Sequence, residues 1–520
     1  MKIKSKVIIG AVLISSLPVL AASAVIGWLS FTDGRKALEE QSIKQAVSLR
    51  DSKKAQIEDY FRNIEAQVQT FSNDQMVVDA MLGLNDAYQN FYQEFAEQGT
   101  DFYRRALETF YRGPFTTAYR KRNNGQAPDV DRLLKGIDET GIAIQYQYLK
   151  SNPNPLGRKA AWDDPDDDTL YAQIHSLYHP KFREFLEKFG YRDILLVAPE
   201  SGNVIYSVAK ETDFGTSLLN GPYRNSGLAR AFRQVREATT PEQVNIQDFS
   251  AFVPLFTDRA AFIASPIFDD DTLIGVLVFQ LSSDQIDRIT TSNGNWHKVG
   301  LGETGETYLV GRDLKARSVS RSLVEKPEQF LQTLKRQGVP EQALATIAAK
   351  QSNIGVQTIT TRGTEAVTRG ETGHAIFPGY LGQRVLSAYT PLSIPGLEWF
   401  ILSEVEEQEA FRATGALASK ILRSSGITLF ITLVAAALIG LVFAHRGTRP
   451  IRQLNATIND IARNADLSQR CKVRSRDEIG AMAAAFDQML DQFQNSMHQV
   501  RDATIHLTSA SDEMKASTST

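Results

Sequence analysis

Two uncharged apolar runs, one at each end of a long polar stretch, constrain this chain more than any other feature. Val7 to Phe31 is 25 residues without a formal charge, preceded by Lys2, Lys4 and Lys6. As a helix it extends roughly 37 Å, against about 30 Å of bilayer hydrocarbon. Gly426 to Ala444 is a second run of 19 residues, roughly 28 Å long on the same rise per residue. Ala22-Ser23-Ala24 offers a small-residue cleavage pattern. The apolar stretch continues past it through Val25, Ile26, Trp28, Leu29 and Phe31, which favours an uncleaved span. Lysines precede the first span, and Arg446, Arg449 and Arg452 follow the second. Positive charge marks the cytoplasmic side, so both termini are expected in the cytoplasm and residues 32–425 outside it, in a two-pass inner-membrane protein. A short tail, 1–6, and two spans, 7–31 and 426–444, complete that division. Two spans around so large an external loop suit a sensor, since a transporter needs more helices to line a path.

Composition narrows the classes further. The net charge of −3 and the 22% of charged residues give no sign of a nucleic-acid partner. Cys471 is the only cysteine, so no intrachain disulfide is available. The seven histidines form no H-E-x-x-H or H-x-H pair and no G-x-S-x-G occurs. No enzymatic activity, cofactor or catalytic residue is expected.

Behind the second span, Ile451, Leu454, Ile458 and Ile461 recur at 3-4-3 spacing, which places them on one helical seam. A polar connector follows, with Leu467, Cys471 and Val473 as its sizeable apolar positions. A second seam then runs through Ile479, Met482, Phe486, Met489 and Phe493. Two such helices cannot bury their seams alone, and pairing two subunits in a parallel four-helix bundle buries all four. Residues 446–498 resemble the HAMP domain of bacterial receptors. Pro450 matches the family's proline just inside the first helix, and Asp477-Glu478-Ile479-Gly480 matches the start of the second. Pro450 is expected to perturb continuity with the span, and Glu478 to stabilise a helix N-terminus. The resemblance marks both as signal-relay positions. Ala465 stands where the family often has glycine, so a tight turn is not expected there.

The second seam continues through Val500, Ala503, Leu507, Ala510 and Met514, so residues 499–520 are similar to the start of the signalling coiled coil of methyl-accepting chemotaxis proteins. The chain is expected to end before the tip that touches the chemotaxis histidine kinase and coupling protein. A sensor histidine kinase or cyclic-dinucleotide enzyme with the same input half is the alternative.

Between the spans, Lys36 to Phe95 carries a helical pattern without internal proline, predicting an unbroken stalk helix, and 96–190 a helical insert. The five aspartates in WDDPDDD (162–168) suggest a solvated acidic turn; their spacing fits no EF-hand loop, and no metal site is expected. Short β-type runs follow at 194–198, 204–208, 261–266 and 273–281, and again at 306–311, 355–361, 384–390 and 398–404. They predict mixed sheets in an α+β architecture. DILLVAPESGNVIYSVAKETDFGT (193–216) and GETGETYLVGRD (302–313) are similar to the double Cache sensor, two PAS-like lobes on a long helix. The distal lobe would be 191–290 and the membrane-proximal lobe 300–411. The resemblance implies a small ligand, such as an amino acid, amine or organic acid, in the distal lobe. By position Tyr206, Asp213, Tyr223, Arg224, Phe252 and Asp258 would line that cup, an aromatic wall with one cation and carboxylates. A chemoreceptor acting as a homodimer is the expected whole.

Overall fold

The computed structural model describes residues 3–517. Residues 1–2 of the expected N-terminal tail and 518–520 of the expected coiled-coil segment lie outside the described residues. The chain divides into two compact units, Glu39–Arg412 and a second made of 1–38 with 413–520.

Nine strands build two sheets in the Glu39–Arg412 unit. The first has β1 (Asp193–Val197), β2 (Val204–Ser207), β3 (Asn245–Phe252), β4 (Asp258–Asp269) and β5 (Thr272–Leu281), in the order β2-β1-β5-β4-β3. The second has β6 (Glu306–Gly311), β7 (Gly373–Pro378), β8 (Arg384–Pro391) and β9 (Trp399–Glu406), in the order β6-β9-β8-β7. Every pairing between these strands is antiparallel. Consecutive strands joined by short turns pair this way without the helical crossovers that parallel pairs need. Residues 355–361 are not a strand. Gly355 takes a φ of 65° and only an isolated bridge from Thr358 to Lys315 forms, because the segment turns back towards Ala316.

The expected stalk is two helices, Ile3–Ser72 and Gln75–Phe95. The break falls at Asn73-Asp74, where the Asp74 side chain accepts the Met76 N–H at 2.9 Å and caps the second helix. From residue 39 onward the first helix is the spine of both lobes. Phe61 meets Trp399 edge to face at 5.3 Å, Lys54 Nζ donates to the Pro391 carbonyl at 2.7 Å, and Ser72 Oγ lies 2.9 Å from Ser265 Oγ. Ile57, Ile64 and Val68 are buried in the same core. The Gln75–Phe95 helix packs on the first sheet closely enough that a Cβ on Gly275 would stand 2.5 Å from Met81 Sδ. The lobes are joined directly as well: Arg317 grips Asp248 through Nε and Nη2, the latter at 2.8 Å, and Lys350 meets Asp258 at 2.9 Å.

In the other unit, two helices among the described residues are long and apolar enough to cross a membrane. Leu13, Ile14, Leu17, Trp28, Leu422, Phe430, Ile431 and Phe443 are exposed along them, which water would penalise and lipid would not. The second is the helix Arg412–Asn464, which contains Pro450 without interruption. The perturbation expected at Pro450 stops short of a break: proline forfeits one bond, to the Arg446 carbonyl, and the ladder on either side carries the helix through. Ala465 ends it at a φ of 51°, a left-handed turn made by alanine where none was expected. Its N–H still reaches the Ile461 carbonyl at 3.0 Å. After the connector, Asp477 accepts the N–H groups of Ile479 and Gly480 at 3.0 and 3.2 Å and starts the helix Glu478–Ser517. Gly480 is required by space, since a Cβ there would stand 1.9 Å from the Ser475 carbonyl oxygen. Cys471 N–H donates to Asp487 at 2.7 Å, docking the connector on this helix.

Candidate functional site

The polar centre of the first lobe is assembled from three places far apart in sequence. The segment after β2 supplies Lys210, Glu211, Thr212 and Asp213, all buried. The helical insert supplies Tyr111, the first residue of the wide π turn Tyr111–Phe115, and Gln145, which caps a second one, Tyr146–Lys150. Such turns bulge a helix and often carry functional side chains. The helix Leu170–Phe189, capped by Thr169 on the Ala172 N–H, supplies His175 and His179.

Asp213 lies at the heart of the arrangement. It is 1% exposed, and neither carboxylate oxygen has a hydrogen-bond partner. Burial pushes its carboxyl well above the usual range, with the nearby Asp193 and Glu211 charges adding to the effect. Around it the backbone is tightly held. Gln145 Nε2 donates to the Thr212 and Phe214 carbonyls at 3.0 and 2.7 Å. Tyr111 OH donates to Gln145 Oε1 at 3.0 Å, and Tyr223 OH to Thr212 Oγ1 at 2.8 Å. Burial pushes both phenols up, and the Asp213 charge contributes to each. A buried carboxylate without a donor loses its hydration with nothing in return, so the neutral acid is favoured here unless a cation is brought to it.

A second group adjoins it. His179 Nε2 lies 2.8 Å from the Ala160 carbonyl and Nδ1 lies 2.7 Å from Tyr206 OH. The neutral tautomer, donating to the first and accepting from the second, satisfies both. Burial, then the Lys210 charge, lowers His179 to about 2. Lys210 Nζ stands 3.0 Å from His179 Nε2, and burial pulls its own value well down. Asp193, holding Ser207 Oγ and the Ala209 N–H, is raised by burial to about 6, and Glu211 to about 7.

Of the residues named from sequence, Asp213, Tyr223 and Phe252 come together, the two rings 6.1 Å apart. Tyr206 is buried on the His179 side. Arg224 is exposed, its Nη1 donating to the Gly221 carbonyl at 3.2 Å. Asp258 is occupied by Arg122 and Lys350 at the junction of the lobes. Tyr111, Gln145, His179, Lys210 and Glu211 were not anticipated. The charged run Lys210-Glu211-Thr212-Asp213, set between apolar neighbours, was the available signal for part of this group. The acidic turn spends its side chains locally: Asp163 on Arg183 at 2.8 Å, Asp167 on Thr169 and Gln147. Among the described residues no three His, Cys, Asp or Glu side chains are grouped to hold a metal. Of the relay residues, Pro450 lies inside the Arg412–Asn464 helix and Glu478 is exposed in the first turn of its own.

Residues 442–495 match the HAMP domain family. Homologues of the chain are methyl-accepting chemotaxis proteins. PctB of Pseudomonas aeruginosa is 29% identical over 118 residues, 22% of this chain and 18% of that protein. CtpM of the same organism is 30% identical over 99 residues, covering 19% and 17%. McpA of Bacillus subtilis is 29% identical over 91 residues, covering 17% and 14%. The chain thus spans less than a fifth of the length of these relatives. Solved structures with a similar course include the extracellular domain of the putative histidine kinase vpHK1S-Z8, with TM-score 0.33 and 12% identity over 73% of this chain and 96% of that one. The ligand-binding domain of PctB with L-Gln aligns with TM-score 0.24 and 15% identity over 42% and 70%.

Proposed function

We propose that this chain is the sensing and relaying part of a bacterial inner-membrane chemoreceptor that crosses the membrane twice and acts as a homodimer. The observation that carries the reading is a HAMP match directly behind an apolar helix long enough to span, in a chain whose homologues are chemotaxis receptors. Residues 39–412 would be the double Cache sensor outside the membrane.

Asp213 is the proposed ligand anchor. A ligand bearing an ammonium group, an amino acid or simple amine, would supply the cation its carboxylate lacks. Tyr111 and Tyr223 would form walls against its body, and Phe252 behind Tyr223 would back them. The centre is closed by its own side chains, so admission requires the segment carrying Thr212 and Asp213 to move. That movement would be passed through the second lobe and the Arg412–Asn464 helix, where shifts of about 1–2 Å are the scale on which packed helices switch. HAMP is the two-state element they would bias. Output to a chemotaxis kinase and coupling protein would lie in sequence of the kind found in the homologues.

A thermal-shift series on the full chain in lipid nanodiscs tests the reading, using L-amino acids, simple amines and simple carboxylic acids as probes. Ammonium-bearing probes should raise the melting temperature and carboxylic acids without an amine should not. Stabilisation by the acids alone would contradict it.

A further inference from the structure

The second lobe holds a cavity of about 170 Å³ beside β6 and β9. Five carboxylates line it, Glu303, Glu306, Glu325, Glu404 and Glu406, against the cations Arg321 and Lys326. The cations do not balance them. Arg321 is committed to Glu325 at 3.0 Å, to the Gly302 and Gly305 carbonyls at 3.2 and 2.7 Å, and to the face of Trp296 at 4.8 Å. Lys326 is exposed.

Glu306, Glu404 and Glu406 share one face of the sheet. Glu306 is the cross-strand neighbour of Glu404, and Glu406 follows two residues on along β9. Like charges placed so are repulsive. Glu306 is compensated, because its oxygens accept the Arg321 N–H at 2.7 Å and Tyr380 OH at 2.6 Å. Glu404 is not. It is 5% exposed, and although the Ser387 and Tyr308 hydroxyls lie near its carboxylate on the same face, its Oε1 has no partner within hydrogen-bond geometry. Glu404 thus brings to the cavity wall a buried acceptor oxygen with no hydrogen-bonded partner among the protein's own atoms.

We propose that this cavity is a second ligand site, independent of the centre around Asp213, which takes a small primary ammonium ion between Glu404 and Glu406. The ammonium donates to the Glu404 carboxylate and to Glu406 nearer the mouth, and Tyr308 and Ser387 remain behind Glu404 as hydroxyl neighbours of its carboxylate. A divalent metal is disfavoured, since no three acidic side chains among the described residues converge closely enough to hold one.

The position gives such an ion a direct grip on the way out of the lobe. The cavity wall at Glu303 and Thr304 is tied to Glu409, whose carboxylate accepts both N–H groups at 2.8 Å. Thr304 Oγ1 in turn accepts the Glu406 N–H at 3.2 Å. Filling the cavity therefore acts on the strand that leads to residue 412, one step from the clamp on Glu409.

The test is calorimetric titration of the full chain in nanodiscs with ethanolamine, 1,3-diaminopropane and methylammonium, and with calcium and acetate as controls. At least one amine should bind, and Glu404→Gln should weaken it at least about tenfold, the size of one charge-assisted hydrogen bond. Because Asp213 is itself a proposed ammonium site, the titrations are repeated in an Asp213→Asn background, where the amine should still bind and Glu404→Gln should still weaken it. Glu406→Lys, at a less buried position, puts an ammonium on the chain itself and should abolish the added amine's binding in a chain that still melts cooperatively. In the Asp213→Asn background, binding by none of the amines, equal affinity with and without Glu404→Gln, or calcium in place of the amines would each overturn the proposal.

Discussion

Thr216 Oγ1 donates to the main-chain carbonyl of Asp213 at 2.7 Å, fixing the backbone of a residue whose two carboxylate oxygens have no partner. The lobe thus holds an acceptor rigidly in a place that costs it hydration. In the absence of ligand that arrangement is a stability defect, and it sets a pH dependence. The folded-state carboxyl is raised above its unfolded value, so the stability associated with it is present at low pH and is lost as the pH rises through the folded value. Asp213→Asn should therefore melt at a higher temperature than wild type at alkaline pH, with the difference shrinking towards acid. Scanning calorimetry across that range checks it, and an equal or lower melting temperature at alkaline pH would speak against a strained carboxylate.

Glu404 predicts a similar effect in a different lobe, with a narrower window. Burial, partly offset by the nearby Ser387 and Tyr308 hydroxyls and reinforced by Glu306, raises its carboxyl from 4.5 to about 7. The associated stability is full below the unfolded value and is lost between there and about 7. A tenfold difference in proton affinity between the folded and unfolded chain corresponds to about 1.4 kcal/mol, so Glu404→Gln should gain a few kcal/mol at most over wild type above that window and nothing below it. Melting curves on both sides of the window measure this, and a pH-independent difference would contradict the assignment.

Ala465 adopts a left-handed backbone that costs an L-residue about 1–2 kcal/mol, partly offset in glycine by its greater unfolded freedom. Ala465→Gly is expected to stabilise the turn by roughly 0.5–1 kcal/mol. Hydrogen exchange at the Cys471 amide, which the docked connector protects, should slow by a few-fold. Faster exchange would show that the turn is not the strained point.

The HAMP seams divide by partner. Ala483 and Leu490 are buried within the subunit, while Met482, Met489 and Phe493 are exposed. If two subunits pair in parallel, the exposed set faces the twin. In a Cys471→Ser background, Met489→Cys should crosslink to its counterpart in membranes and Leu490→Cys should not. Crosslinking of equal yield at both positions would contradict the bundle.

What the sequence made legible follows physical lines. β1, β2, β4, β5, β6, β8 and β9 announced themselves by short apolar runs between turns, and the spans by length without charge. β3 was missed because Asn245–Phe252 mixes polar and apolar residues at a half-buried edge, and β7 because Gly373–Pro378 is short and sits at the edge of its sheet. Gly355–Thr361 has strand composition, but the glycine turn and its contacts with Leu314 and Ala316 keep it out of the sheet. The stalk break was signalled by Ser72-Asn73-Asp74, an N-cap pattern that carries no proline. Within the site, Asp213 and Tyr223 were within reach because they share one segment. Tyr111 and Gln145 were not, since no local pattern tells which helix of an insert will meet a loop about 70 to 100 residues away. Asp258 shows the reverse: a carboxylate placed by position in the cup is spent on Arg122 and Lys350, which only the packing of one lobe on the other brings near.

The central claim is that Asp213 is the anchor for an ammonium-bearing ligand, and calorimetric titration tests it most directly. The probe is whichever amino acid or amine stabilises the full chain in nanodiscs most, titrated into wild type and Asp213→Asn. Breaking a buried ion pair costs about 3–5 kcal/mol, so the account predicts that affinity falls by at least about a hundredfold in the variant while it remains folded. Wild-type affinity in a folded Asp213→Asn chain would contradict it.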